Sequence, residues 1–148
     1  MKHEQKSLIM TIWIVKAMMI LLPCIAVGMP FIVGWYTGMR EELYPFYWPT
    51  LVLAACCLIP AAIALYCMDR LLCNIKKADV FISENTEYLR KISWCAYVAS
   101  LIFFILGFMR PTGFVIAFAG FFVGLILRVV KNVFAQAVLI REENEFTI

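Results

Sequence analysis

Cysteines are the residues of this chain with the most versatile chemistry, and the sequence holds six of them. Thiolates form disulfides, bind soft metals and act as nucleophiles. No two cysteines have the C-x-x-C spacing of thiol–disulfide enzymes, and Cys56 and Cys57 are adjacent, a poor geometry for an ordinary disulfide. His3 is the single histidine, whereas a zinc site needs a denser cluster of nitrogen and sulfur ligands. We interpret the cysteines as packing residues, with redox or metal chemistry as the alternative.

The sequence offers few residues suited to hydrolysis, phosphate binding or proton-coupled transport. Ser83, Ser93 and Ser100 have no histidine partner in a structured region, and no glycine-rich phosphate loop is present. No Asp or Glu lies within the long apolar segments, where a proton-coupled transporter needs an ionisable group. The sequence therefore predicts a non-enzymatic protein without a cofactor or metal.

The composition identifies the elements that must position these residues. Of 148 residues, 64% are hydrophobic and 16% are charged, whereas soluble domains are about half apolar and about a quarter charged. A chain this short cannot bury so much apolar surface within itself, but a bilayer can accept it. The apolar run that follows Lys6 is longer than the roughly 7–15 residues of a signal-peptide core, so we expect a retained first span.

Hydropathy predicts an all-α, polytopic integral membrane protein. Segments that cross a bilayer must be helical here, because isolated strands would leave backbone groups unpaired in lipid. We expect residues 1–148 to form a single domain of four transmembrane helices with cytoplasmic helical extensions. Each apolar segment has about the 17–25 residues that a span requires. The predicted spans are 12–35, 48–68, 92–109 and 114–130.

Positive charge predicts the orientation. Eleven of the 13 Lys and Arg residues lie in the N-terminal part up to Lys16, in the 69–91 loop or from Arg128 onward, and only Arg40 and Arg110 lie on the other side. The positive-inside rule therefore places both termini, the 69–91 loop and the 131–148 extension in the cytoplasm. On the other side, aromatic residues flank the 36–47 loop. They are interpreted as an interfacial belt, with an aromatic-lined ligand mouth as the alternative.

The polar segment FISENTEYLRK, residues 81–91, begins a helix after a break at 78–80. Ser83 is predicted to cap the helix, and Glu84 is favoured in its first turn by the helix dipole. Glu87 and Lys91 have the spacing of a helical ion pair. With the apolar stripe of the C-terminal extension, this segment would form a self-packed cap, bind a partner or lie on the membrane surface.

Small residues in the spans predict close contacts between transmembrane helices. Gly120 and Gly124 form a GxxxG pattern in the fourth span, which lets helices approach closely. The pattern predicts either a homo-oligomer or packing within the chain, against the third span near Gly107.

Segments 65–93 and 125–148 share several features with a known family. These features are an arginine at a helix end, an F-x-x-E-N element followed by L-R, and an acidic end: Arg70; Phe81, Glu84 and Asn85; Leu89 and Arg90; and residues 142–148. With these features the chain resembles the YoaS-like bacterial membrane proteins, a four-helix family of unknown function, although Phe146 stands where that family usually has Leu. The resemblance implies a bacterial inner (cytoplasmic) membrane and a gene that often neighbours a helix-turn-helix regulator, and it carries over no catalytic residue.

These observations lead to the hypothesis of a regulatory or scaffold protein that acts through its cytoplasmic face. Its expected partners are the lipid bilayer, a cytoplasmic transcriptional regulator and further copies of the chain, with no direct binding to nucleic acid. The alternatives are an oligomeric small transporter or permeation subunit and, third, a membrane oxidoreductase. The candidate docking residues are Phe81, Glu84, Asn85, Leu89, Arg90, Glu142, Glu143 and Glu145.

Overall fold

The computed structural model describes residues 2–38, 45–77 and 80–146, and the side chains of residues 2–5 and 145 lie outside that description. Four α-helices account for nearly all of the described residues, and no strand occurs among them. Each helix is long and apolar enough to cross a membrane. The prediction of an all-α, multi-pass membrane protein is therefore confirmed. The helices are α1 Lys2–Gly38, α2 Tyr47–Lys76, α3 Ser83–Met109 and α4 Thr112–Phe146.

All four helices run well past the predicted spans, and α1 begins at Lys2, ten residues before the first span. With 35 residues and a rise of 1.5 Å per residue, α4 is about 52 Å long, against a hydrocarbon thickness of about 30 Å. Similarly, α2 continues beyond residue 68 to Lys76, and α3 begins at Ser83, nine residues before the third span, within the segment 81–91 where a helix start was predicted. The end of α2, the start of α3 and the end of α4 lie at one end of the molecule. We call this end the cap.

The helices pack in chain order. α1 contacts α2, α2 contacts α3, and the most extensive interface joins α3 to α4. The apolar core is small and includes Cys67, Leu89 and Ala117, while most large apolar side chains are exposed. Exposed apolar surface is stable in lipid, because lipid tails are as apolar as the side chains themselves. The fold therefore holds together through a few close contacts rather than through a large core.

Two local predictions at the start of α3 were wrong. Ile82, with extended φ and ψ of −122° and 149°, caps the helix, and Ser83 is its first helical residue. The side chain of Asn85 bonds the preceding turn instead, so the turn does not depend on a serine cap. Glu87 pairs with Arg90 at 3.4 Å rather than with Lys91, whose ammonium lies 5.9 Å from the centroid of the Tyr88 ring.

Candidate functional site

The cap is organised around Asn85, whose side chain has no exposed surface. Asn74 Nδ2 on α2 donates to Asn85 Oδ1 at 2.8 Å, and Asn85 Nδ2 donates to the carbonyl oxygen of Val80 at 2.8 Å. An unpaired buried amide costs about 1–3 kcal/mol, so these bonds strongly favour one arrangement. Asn85 thereby fixes the end of α2, the connecting turn and the start of α3 relative to one another.

Glu84 extends this network toward the surface. Its Oε1 accepts a hydrogen bond from the Tyr88 hydroxyl at 2.6 Å, and its Oε2 lies 3.5 Å from Asn74 Nδ2. A neighbouring pair on α2 is similarly ordered, since Arg70 Nε donates to the Tyr66 hydroxyl at 3.2 Å. The Glu84 carboxylate is exposed, but both of its oxygens already have partners within the chain.

The end of α4 closes onto the same turn. The rings of Phe81 and Phe134 lie 5.7 Å apart, and Arg141 Nη1 donates to the carbonyl oxygen of Phe81 at 3.4 Å. Leu89 on α3 and Val138 on α4 are buried. Part of the cap is therefore self-packed, as one of the three sequence-based alternatives expected.

A groove remains open between the first turns of α3 and the extension of α4. Its volume is about 420 Å³. The Thr86 Oγ1 atom in its lining is buried and has no hydrogen-bond partner among the described residues. We call this feature the cap groove. Its polar and apolar lining includes Thr86, Glu87, Arg90, Lys131, Leu139 and Glu142.

The structure separates the predicted docking residues into two groups. Asn85 and Leu89 are buried within the chain and present almost no surface to a partner, and docking through the other residues stays a prediction. The Asn85 amide is bonded to Asn74 of α2 and to the carbonyl oxygen of Val80. Glu145 has its side chain outside the described residues. The predicted docking residues that retain exposed surface are Phe81, Glu84, Arg90, Glu142 and Glu143.

The glycines predicted for helix packing lie along the contact between α3 and α4. A Cβ atom at Gly120 would lie 2.6 Å from Ser100 Oγ, and one at Gly124 would lie 2.7 Å from the Tyr97 ring. A Cβ atom at Gly107 would lie 2.6 Å from the Phe114 ring. The GxxxG face is thus occupied by the helix's neighbour in the same chain, and homo-oligomerisation stays a prediction.

Sequence reasoning missed three residues of the cap. Asn74 had a usable signal, because an amide within an otherwise apolar stripe of α2, beside a helix break, indicates a buried hydrogen bond. Thr86 and Lys131 had none, because their place in the groove depends on how α3 and α4 are rotated against each other.

Within the part of the chain that the structure describes, the cysteines and the other residues that could bind a metal are not grouped into one site. All six cysteines are free thiols, and Cys67 is buried. Among the described residues, no three His, Cys, Asp or Glu side chains are grouped so as to hold a metal ion.

Fold and cap together define a multi-pass, all-α membrane protein with a helical cap at one end. Residues 36–148 match the family described as "Protein of unknown function (DUF2975)", and the chain belongs to this family. The match includes α2, α3, α4 and all of the cap residues described above. No curated protein and no solved structure matches the chain.

Proposed function

We propose that this protein is a non-enzymatic scaffold of the bacterial inner membrane that holds a soluble cytoplasmic regulator on its cap. In this proposal both termini and the cap lie in the cytoplasm, as the distribution of Lys and Arg predicts. The resemblance to the YoaS-like proteins adds a helix-turn-helix regulator, encoded nearby, as the expected partner. The support for this proposal comes from the cap groove and not from the fold, since one fold serves many functions.

Exposed apolar surface beyond the predicted hydrocarbon region carries this proposal. Leu139 and Ile140 are 59% and 60% exposed. They follow Val130, the last residue of the predicted fourth span, by nine and ten residues, which is about 14 Å along the helix. Apolar side chains at that distance from the lipid core are stabilised when another surface covers them.

Charge beside this apolar surface favours a basic partner. Glu142 lines the cap groove, and Glu143 is exposed one residue further along α4. DNA-binding regulators carry clustered Lys and Arg on their surface. Complementary charge increases the rate and the specificity of association, and its effect falls as salt rises.

Charge reversal at the end of α4 tests the proposal. The variant E142K/E143K/E145K is expected to lose co-purification of the neighbouring regulator, while folding changes by under about 0.5 kcal/mol because the described members are on the surface. The matched control is E41K/E42K, which reverses charge in the 36–47 loop, predicted to lie across the membrane. Pull-downs from native membranes at low and higher salt provide the measurement.

The result that overturns the proposal is equally concrete. If the unmutated protein retains no soluble regulator at any salt concentration, the cap is only self-packed. Equal loss of the regulator with E41K/E42K would also contradict docking at the end of α4.

A further inference from the structure

A second, partly open cavity lies at the end of the molecule opposite the cap. All four helices or their ends contribute to it, and its volume is about 190 Å³. For scale, a cavity of about 150 Å³ holds a benzene molecule. The space can accept a small head group but not a nucleotide or a whole lipid. We call it the Arg110 cavity, and its lining includes Tyr36, Thr50, Phe103, Arg110, Thr112 and Ile116.

Arg110 is held in position by Tyr36, which is 74 residues away in sequence. Arg110 Nη1 donates to the Tyr36 hydroxyl, and the guanidinium carbon lies 3.9 Å from the centroid of the Tyr36 ring. Stacking and the hydrogen bond fix the plane of the guanidinium. An arginine has five N–H donors, so most of them are left for another acceptor.

The charge of Arg110 has no counter-charge among the described residues. The ion pair between Arg90 and Glu87 lies at the other end of the molecule. Arg110 is partly buried beside the apolar side chains of Phe103 and Ile116. A cation partly removed from water is stabilised by an anion, and a guanidinium binds carboxylate and phosphate oxygens with two parallel hydrogen bonds.

The remaining lining also suits an amphipathic anion. Thr50 and Thr112 are polar residues of the lining, whereas the hydroxyl of Thr37, also in the lining, donates to the carbonyl oxygen of Val33 at 2.8 Å within α1. Phe46 and Met109 add apolar surface. We propose that the Arg110 cavity binds the oxyanion, a carboxylate or a phosphate, of a molecule whose other portion is apolar. This chemistry is available from an anionic lipid of the bilayer or from a small soluble acid.

Native mass spectrometry of the purified full-length protein in detergent tests this inference. The lipid probe is dimyristoylphosphatidylglycerol, compared with the zwitterionic dimyristoylphosphatidylcholine, and the soluble probe is octanoate. The R110Q variant is expected to weaken retention of one probe by at least about tenfold, because it removes a charged partner. The matched control is R128Q, which removes an exposed arginine of α4 whose guanidinium lies 5.9 Å from the Trp94 ring centroid.

The two sources give different results. Arg110-dependent retention of phosphatidylglycerol over phosphatidylcholine identifies a lipid head group, and Arg110-dependent retention of octanoate alone identifies a soluble acid. The variant I116W supplies a second test, because it narrows the cavity while keeping Arg110, and the same probe should be lost. Thermal melting of each variant in detergent distinguishes lost binding from lost folding.

Three outcomes overturn the inference. One is that the unmutated protein retains neither probe. Another is that R110Q and R128Q weaken retention equally, which indicates attraction to general surface charge. The third concerns Glu41 and Glu42, the two carboxylates of the 36–47 loop. If a probe is retained only after both are neutralised in the variant E41Q/E42Q, then a carboxylate of the chain itself neutralises Arg110.

Discussion

Asn85 provides the first prediction, at the scale of a single residue. Replacing Asn85 with Leu removes the acceptor of Asn74 Nδ2 and the donor to Val80. We expect N85L to lower the free energy of unfolding by about 1–3 kcal/mol, because a polar group in the cap is left unpaired. Thermal or denaturant unfolding in detergent, followed by circular dichroism, measures the change.

Two further variants make this prediction specific. The double variant N74L/N85L should recover part of the loss, because both hydrogen-bonding partners are then replaced by apolar groups. N132A removes an exposed asparagine from α4 and should change stability by under about 0.5 kcal/mol. Equal destabilisation by N85L and N132A would show that the Asn74–Asn85 pair does not hold the cap together.

At the scale of an element, the contact between α3 and α4 depends on small residues. Ser93 Oγ donates to the carbonyl oxygen of Gly124 at 2.9 Å, and the Tyr97 ring occupies the space where a Cβ atom at Gly124 would lie. The variant G124V forces the helices apart and is expected to cost about 1–3 kcal/mol by overpacking. A119V is the control, since it adds volume to an exposed position of the same helix.

Oligomeric state distinguishes this contact from the homo-oligomer that GxxxG also predicts. Light scattering in detergent should give the same mass for G124V and A119V, since the GxxxG face lies against α3 of the same chain. A lower mass for G124V alone, without loss of stability, would instead place this face between copies.

At the scale of the whole molecule, orientation in the membrane is the central prediction. In a background with all six cysteines replaced by alanine, an impermeant thiol reagent should label a cysteine at position 42 in intact cells and should not label one at position 84. This pattern follows from the positive charge concentrated at the cap end. Labelling of position 84 alone would reverse the topology and would place the cap outside the cytoplasm.

The same background tests whether the thiols have chemistry of their own. All six are free, and they are spread over three helices. The cysteine-free protein is therefore expected to insert and to behave like the unmodified one. Loss of phenotype in a single, well-folded cysteine variant would instead favour an oxidoreductase.

The sequence by itself determined the class of this protein. Long apolar runs exceed what a small chain can bury, so they require a bilayer, and a bilayer requires helices. The continuation of α2 to Lys76 and of α4 past the apolar spans, and the start of α3 at Ser83, could also be predicted, because helical periodicity persists in the polar segments. These features depend only on the composition and spacing of neighbouring residues.

Only the tertiary structure decided which residues of the cap face inward. Asn85 and Leu89 could not be distinguished from exposed neighbours by sequence, because the rotation of α3 is set by its contacts with α2 and α4. The pairing of Arg110 with Tyr36 was equally hidden, since it joins two helix ends that are 74 residues apart. Helical periodicity fixes the faces of one helix, whereas packing between helices fixes what each face meets, and both candidate sites depend on that second step.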